Sequence, residues 1–358
     1  MDKIRWGIFG TGAMAQRFKE DIVLSETGVL VAVASRNIDN AASFAPDVIA
    51  FESFEALARS SDIDAIYIAA PTVAHHRLCL LAISCGKAVL CEKPIALTSQ
   101  QAEEIADAAE TAGVFCMEAL WSCFLPGVRA IKELINDNKL GAPLHANASL
   151  GFSWNEAEGD PITDQSVGGG AALDLGVYCV GLLGHLLGPP RLVEHQTLIS
   201  ESGNVRALSA LLTHPIADGV STTIACRHDT VLPNRLEISF TNGRIEIAPI
   251  FIEVRQAWSW QVSSRSYQRE QPPSSLTNWI RKRSAFPAMR RVAKIAMRSG
   301  ASSIDCGYSG TGFQFQIDEV GHCLDKGKST SEILPIRDSL WNLKVIEQLS
   351  AGEIHLKN

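Results

Sequence analysis

The sequence predicts an α/β protein in two parts: a doubly wound parallel sheet, then an α+β region with an open, mainly antiparallel sheet. Three observations predict it. The first 120 or so residues alternate near-continuous apolar strands with helical stretches, the pattern of a parallel sheet covered on both faces. After about residue 140 the texture changes to strands joined by short polar or glycine turns. The 358 residues are long for one domain and comfortable for two.

In the first part, Ile4–Phe9, Val29–Ala34, Ala65–Ala69, Ala88–Leu90 and Val114–Met117 read as strands. Helical patterns fill the gaps at Ala13–Leu24, Ser53–Ser60, Ala74–Cys85 and Ser99–Ala112. In the second, Leu144–Phe152, Leu192–Leu198, Val205–Leu212, Val220–Arg227, Arg235–Phe240 and Arg244–Ile247 read as strands. The Asn-Gly pair of Thr241-Asn242-Gly243-Arg244 marks a hairpin turn. One helix, roughly Gly169–Leu187, interrupts this sheet, and two more close the chain near Phe313–Asp325 and Ile336–Ser350. The expected boundary divides a dinucleotide-binding domain (1–122) from a substrate and oligomerisation domain (123–358), whose C-terminal helix packs back on the first.

Residues 256–298 stand apart. They hold nine Arg or Lys and a single acid, Glu270, together with Trp258, Trp260 and Trp279. Asn278–Arg298 has the makings of a basic amphipathic helix, which Pro287 would break or kink. Two readings stay open for an insertion at about 256–305: a solvated surface segment, or a contact with a membrane surface (278–298) or an anionic partner.

Composition narrows the function classes. A net charge of −7 argues against general nucleic-acid binding. No uninterrupted apolar run approaches the ~20 residues of a membrane span, and the N-terminus enters a strand directly, without a secretory signal. The nine cysteines show no Cys-x-x-Cys spacing, so reduced core thiols, a cytoplasmic compartment and no metal are expected.

The chemistry begins at Gly10-Thr11-Gly12-Ala13-Met14-Ala15, where the first strand enters its helix. Gly10 allows the tight bend, Gly12 lets backbone approach a pyrophosphate, and Ala15 keeps helix and strand close. The helix N-terminus then offers free N–H groups to phosphates. Taken alone, the turn also suits a glycine loop with no ligand. The second strand ends Ala34-Ser35-Arg36-Asn37 with no acid at its tip, and Asp39 falls in the following turn. Ser35 and Arg36 suit a 2′-phosphate, which favours NADP over NAD.

Glu92-Lys93-Pro94 ends the fifth strand, where a doubly wound sheet places its ligand crevice. Lys93, beside a positive nicotinamide, is expected to lose some proton affinity. Asp174 and Tyr178 follow the Gly168-Gly169-Gly170 run and, four apart on a helix, share one face. A lysine cation beside the tyrosine would stabilise its phenolate.

These motifs, in this order and spacing, resemble the glucose–fructose oxidoreductase / inositol dehydrogenase / rhizopine catabolism (Gfo/Idh/MocA) family of NAD(P)-dependent oxidoreductases. Gly310–Val320 looks like the family's C-terminal helix signature. Tyr178, where many members carry His, and Met117–Pro126 resemble the branch with dimeric dihydrodiol dehydrogenase and NADP-dependent xylose dehydrogenase. Cys123 departs from that branch, which usually has Arg there, so substrate recognition or its local support is expected to differ.

The resemblance implies Lys93 as catalytic lysine, Tyr178 as acid/base and Asp174 near the substrate hydroxyls. It implies Pro71, Thr72 and His75 as a loop at the cofactor, with Thr72 standing where Asn is usual. Trp121 and Phe152 read equally as pocket walls or as core. The expected activity is NADP(H)-dependent hydride transfer at a secondary alcohol or hemiacetal carbon of a sugar, polyol or cyclic diol; the alternative is an NADP(H)-binding sensor without turnover. A homodimer or homotetramer is expected, because an open sheet would leave apolar area exposed in a monomer.

Overall fold

The computed structural model describes residues 2–154, 162, 164, 167–201, 203–217, 219–261 and 301–351. Its N-terminal sheet is β1 (Ile4–Phe9), β2 (Gly28–Ala34), β3 (Ile49–Phe51), β4 (Ala65–Ile68), β5 (Ala88–Glu92) and β6 (Cys116–Ala119). The order is β3-β2-β1-β4-β5-β6, all parallel. Order reverses between β1 and β4, and such a switch point opens a crevice at the carboxyl ends of the strands. β4 and β5 are buried along their whole length, as strands covered on both faces must be. The covering helices are α1 (Ala13–Asp21), α2 (Ile38–Phe44), α3 (Phe54–Arg59), α4 (His75–Ser84) and α5 (Ser99–Ala112).

Local chemistry ends these helices. Asn37 caps α2, Ser53 caps α3 and Thr98 caps α5, each accepting a backbone N–H with its side chain, and Gly113 closes α5 at φ 64°. Asp39 therefore lies in the first turn of α2 rather than in a loop. The three-residue β3 and seven-residue α2 are too short to leave a periodic signal. A further helix, α6 (Pro126–Asn136), starts with Pro at its first position and buries Val128, Ile131 and Ile135 along one stripe.

The second sheet comprises β7 (Pro143–Gly151), β8 (Arg191–Ile199), β9 (Val205–His214), β10 (Val220–Arg227), β11 (Leu236–Phe240), β12 (Gly243–Ile247), β13 (Ala257–Gln261) and β14 (Ala301–Ile304). Its order is β14-β13-β12-β11-β7-β10-β9-β8, antiparallel except for the parallel pair β7–β10. The Asn242-Gly243 turn joins β11 to β12 as expected. Strands β13 and β14 correct the bounds of the insertion: its flanks belong to the sheet, with Arg244 resting on the Trp260 ring at 4.2 Å. Residues 262–300, with the candidate helix and Trp279, lie outside the described residues.

Helices α7 (Val177–Leu187), α8 (Gln314–Asp325) and α9 (Ile336–Ala351) complete the described elements. The expected helix over 169–187 starts late, because Gly168 and Gly170 take φ of 97° and 90°. One π-helical turn, Ala172–Gly176, then leads into α7. The inner face of the second sheet is apolar and packs on α7 and α9. The sheet's strands expose apolar Leu144, Val193 and Leu211, and its outer face sets polar residues among them. Asn147, Ser209, Ser221 and Ser239 point outward there with Leu211, an alternation that lets a sheet face water.

The C-terminal segment contacts the N-terminal elements. Asp21 accepts hydrogen bonds from the Thr311 hydroxyl at 2.7 Å and the Phe313 N–H at 2.8 Å. Asp318 accepts from Ser25 and Thr27. On α9, Glu347 receives Ser99, and Arg337 pairs with Asp107 and Glu110 of α5.

Candidate active site

A cleft of about 430 Å³ opens where the carboxyl ends of β1, β4 and β5 meet the start of α7. Gly12, Ala13 and Met14 line one wall, Pro71, Thr72 and His75 a second, and Glu92, Lys93 and Asp174 the floor. The glycine turn behaves as its sequence predicts. At Gly10, φ is 114° and a Cβ would stand 2.5 Å from the Ala69 oxygen. A Cβ at Gly12 would meet nothing within 4 Å, so its face opens into free space at the N-terminus of α1. No side chain caps that terminus and no acid lies in its first turn. An exposed helix N-terminus with its N–H groups free fits a dinucleotide's diphosphate.

Ser35 and Arg36 sit next to this turn, since the Gly10 N–H donates to the Ala34 oxygen at 2.9 Å. Ser35 is buried and Arg36 is exposed at the strand tip, without a carboxylate between them. His75 is buried between two backbone oxygens, with Nδ1 2.8 Å from Pro94 O and Nε2 2.8 Å from Ala70 O. It thus ties the β4 loop to the turn after Lys93, and burial lowers its pKa. Gly168 presses on Thr72, where a Cβ would come within 2.5 Å, so the segment before α7 closes over the same loop.

The floor is a charge cluster. Lys93 Nζ donates to Asp174 Oδ1 at 2.8 Å and to the Asp174 backbone oxygen at 3.0 Å. The same ammonium lies 4.5 Å from the centre of the Tyr178 ring. Asp174 and Tyr178 therefore do share a face, although a π-helical turn and not a regular helix brings them to it. Such turns recur at functional sites because they re-aim side chains at little cost to the flanking helix.

Burial would lower the Lys93 pKa, but Asp174 outweighs it and the net shift is upward. Beside Asp174, and before any nicotinamide charge is added, Lys93 is a strengthened cation. Burial would likewise raise the Asp174 carboxyl, yet Lys93 and His228 hold it well below the usual carboxylate range. Tyr178 moves up from its ordinary value through burial, which the Lys93 charge and a hydrogen bond from Trp121 offset only in part. Its phenol is protonated. Because Trp121 Nε1 donates to the phenol oxygen at 3.1 Å, the O–H remains available to another acceptor.

Trp121 itself is buried against Phe313, and Phe152 is half-buried at the end of β7. Neither lines the cleft, nor does Tyr178, whose phenol oxygen receives the Trp121 N–H. Cys123 is also fully buried and away from the cleft, in the field of Glu118, Asp338 and Lys132. Its departure from Arg thus bears on packing beneath the site.

Sequence reasoning missed three residues here. His228 Nε2 lies 3.2 Å from Asp174 Oδ2 and fixes the second carboxylate oxygen. Only the register of β10 brings it there, and a lone histidine after a strand carries no signal. Tyr67 hydrogen-bonds to Glu92, whose carboxyl burial pushes up to about 7. Glu118 accepts the Ile95 N–H and the Ser339 hydroxyl, tying the turn after Lys93 to α9. Among the described residues no group of His, Cys, Asp and Glu forms a metal site, all nine cysteines are free, and no helix is long and apolar enough to cross a membrane.

Comparison with known proteins agrees along the whole chain. Residues 4–120 match the model for an oxidoreductase family with an NAD-binding Rossmann fold, and residues 128–246 match the model for the GFO/IDH/MocA C-terminal domain. The chain is 29% identical to trans-1,2-dihydrobenzene-1,2-diol dehydrogenase of Mus musculus, over 96% of this chain and 95% of the relative. The enzyme of that name from Xenopus laevis is 30% identical over 94% and 93%. In fold the chain is similar to a 3-ketoreductase from Actinomadura kijaniata in complex with NADP and TDP-benzene, at TM-score 0.77, 22% identity and 98% coverage of both chains. An aldose-aldose oxidoreductase from Caulobacter crescentus complexed with glycerol superposes equally well, at TM-score 0.77, 21% identity and 97% and 96% coverage.

Proposed function

This chain belongs to the Gfo/Idh/MocA family of oxidoreductases, and from that premise we propose that it interconverts a secondary alcohol or hemiacetal carbon and its carbonyl with NADP(H). The substrate class is a cyclic diol, sugar or polyol, by analogy with the dihydrodiol dehydrogenases and the sugar-converting relatives. The observation that carries this reading is the Lys93–Asp174 pair on the floor of a cleft walled by the glycine turn, with the buried Tyr178 ring 4.5 Å from the same ammonium. A protein that only sensed the dinucleotide would need none of the three.

Gly12, Ala13 and Met14 would hold the diphosphate, and Ser35 and Arg36 the 2′-phosphate. Bound NADP(H) supplies or accepts the hydride; the residues around it position the substrate and handle its proton. In the reducing direction Tyr178 donates its phenolic proton to the oxygen that becomes the hydroxyl. Lys93 stabilises the phenolate left behind, and Asp174 with His228 keeps Lys93 under the ring. In the oxidising direction the same phenolate accepts the hydroxyl proton.

Replacing Tyr178 by Phe keeps the ring over Lys93 and removes the proton. Turnover of trans-dihydrodiols and aldoses, followed by NADPH absorbance, should fall roughly 10²–10⁴-fold while NADPH binding by fluorescence stays unchanged. Near-normal turnover in that variant would sink the assignment.

A further inference from the structure

A second cavity, of about 250 Å³, lies one to two turns along α7 from Tyr178, between α6, α7 and α9. It shares no lining residue with the cofactor cleft. Asn342 of α9 is only 4% exposed and faces this space, yet its side-chain amide has no hydrogen-bond partner among the described residues. The amide lies over two glycines of α7. Side chains at Gly181 and Gly184 would come within 3.3 Å of its nitrogen and 3.2 Å of its oxygen, so the glycines leave room for it. The amide opens into the cavity, so a bound hydroxyl can pair with it directly.

The remaining walls supply groups of both polarities. Lys132 Nζ donates to the oxygens of His185 and Leu186 at 2.7 and 3.1 Å, leaving a third N–H. His185 Nδ1 faces the Ile333 oxygen at 3.0 Å, which assigns the proton to Nδ1 and leaves Nε2 an acceptor. Burial, helped by the Lys132 charge, lowers that imidazole's pKa to about 4, so the ring is neutral at pH 7. Asp338 brings a carboxylate at the mouth, opposite in sign to Lys132. Trp341 stands beside it with 51% of its surface exposed, a large indole presented to solvent.

We propose that this cavity is a second binding site, distinct from the cofactor cleft, for a neutral polyhydroxylated molecule of monosaccharide size. Asn342, His185 and Asp338 take its hydroxyls, Lys132 donates to a ring or hydroxyl oxygen, and the Trp341 face covers its C–H surface. Lys132 and Asp338 are opposite in sign and the Glu332 carboxylate of the wall is paired with Lys328 at 2.6 Å, so the charges of the lining are balanced, whereas single donors and acceptors beside an indole suit hydroxyls on a carbon ring. The inference stands whether or not the cleft performs the proposed reaction.

Saturation-transfer NMR titrations of D-glucose, D-xylose and myo-inositol against the full chain test it. Saturable binding of at least one of these probes is expected, weakened about tenfold by Asn342→Leu and similarly by Trp341→Ala, and unchanged by Lys93→Met. Because Trp341 is a surface residue, its variant keeps the test valid if Asn342→Leu fails to fold. Absence of saturable binding at millimolar concentrations of all three would overturn the site. So would binding that Lys93→Met abolishes and Trp341→Ala leaves intact, since it would then belong to the cleft.

Discussion

The two sheets differ in what they leave for chemistry. The parallel sheet has both faces covered, so its strands are mostly apolar and their chemistry gathers where a strand ends. Gly10–Gly12, the 70–75 loop and Lys93 all sit at such ends. The mixed sheet covers one face only, and it contributes through the elements laid against that face: the π-turn with Asp174, α7 with Tyr178, and His228 at the end of β10. One sheet is a platform for a cofactor. The other is a wall that brings Asp174 and Tyr178 to the Lys93 ammonium.

That division can be broken most severely at the seam. Lys93→Met removes the cation that the first domain lends to the site, leaving Asp174 and the Tyr178 ring without it. Turnover should drop roughly 10²–10⁴-fold, and a pH–rate profile should show the tyrosine limb displaced to higher pH, because the charge that favours phenolate is gone. An unshifted profile would show that Lys93 acts on something other than Tyr178.

A change confined to the platform should act on the cofactor alone. Ser35→Asp with Arg36→Ile places a carboxylate at the end of β2 and removes the cation. The preference for NADP over NAD, read as the ratio of kcat/KM values, should fall about 10- to 100-fold, the worth of one or two charge-assisted hydrogen bonds. A ratio that does not move would place the 2′-phosphate elsewhere.

The smallest effect lies beneath the platform. Burial raises the Glu92 carboxyl to about 7, against about 4.5 in an unfolded chain. The folded state therefore favours the protonated form. The stability this contributes is complete below pH 4.5 and is lost as pH rises through 7. Glu92→Gln keeps a neutral side chain, so its Tm should gain on that of the unaltered protein by a few degrees between pH 5 and pH 8. Parallel melting curves across that range would refute the buried-acid reading.

Much of the first domain was legible because its signals are local. A glycine turn, an apolar strand and a capped helix each follow from neighbouring residues, so Gly10, Lys93 and the five longer strands could be placed from sequence. What escaped there was short: Ile49–Phe51 spans three residues, too few for a period. The strands Ala257–Gln261 and Ala301–Ile304 at one end of the second sheet escaped for another reason, since the basic stretch between them masked their membership of the sheet.

From residues alone, the chain determines a dinucleotide turn, a lysine at a strand end and an aspartate–tyrosine pair at helical spacing. The family follows from their order. Only the tertiary structure decides that Lys93 is a strengthened cation, because that depends on an Asp174 carboxylate 81 residues away. It alone decides that His228 completes the cluster and that Trp121 donates a hydrogen bond to Tyr178. The physical reason is common to all three. Local backbone preference and hydrophobic period act between neighbours, whereas electrostatic balance and hydrogen-bond partnership depend on which distant side chains packing brings within 3 Å or so.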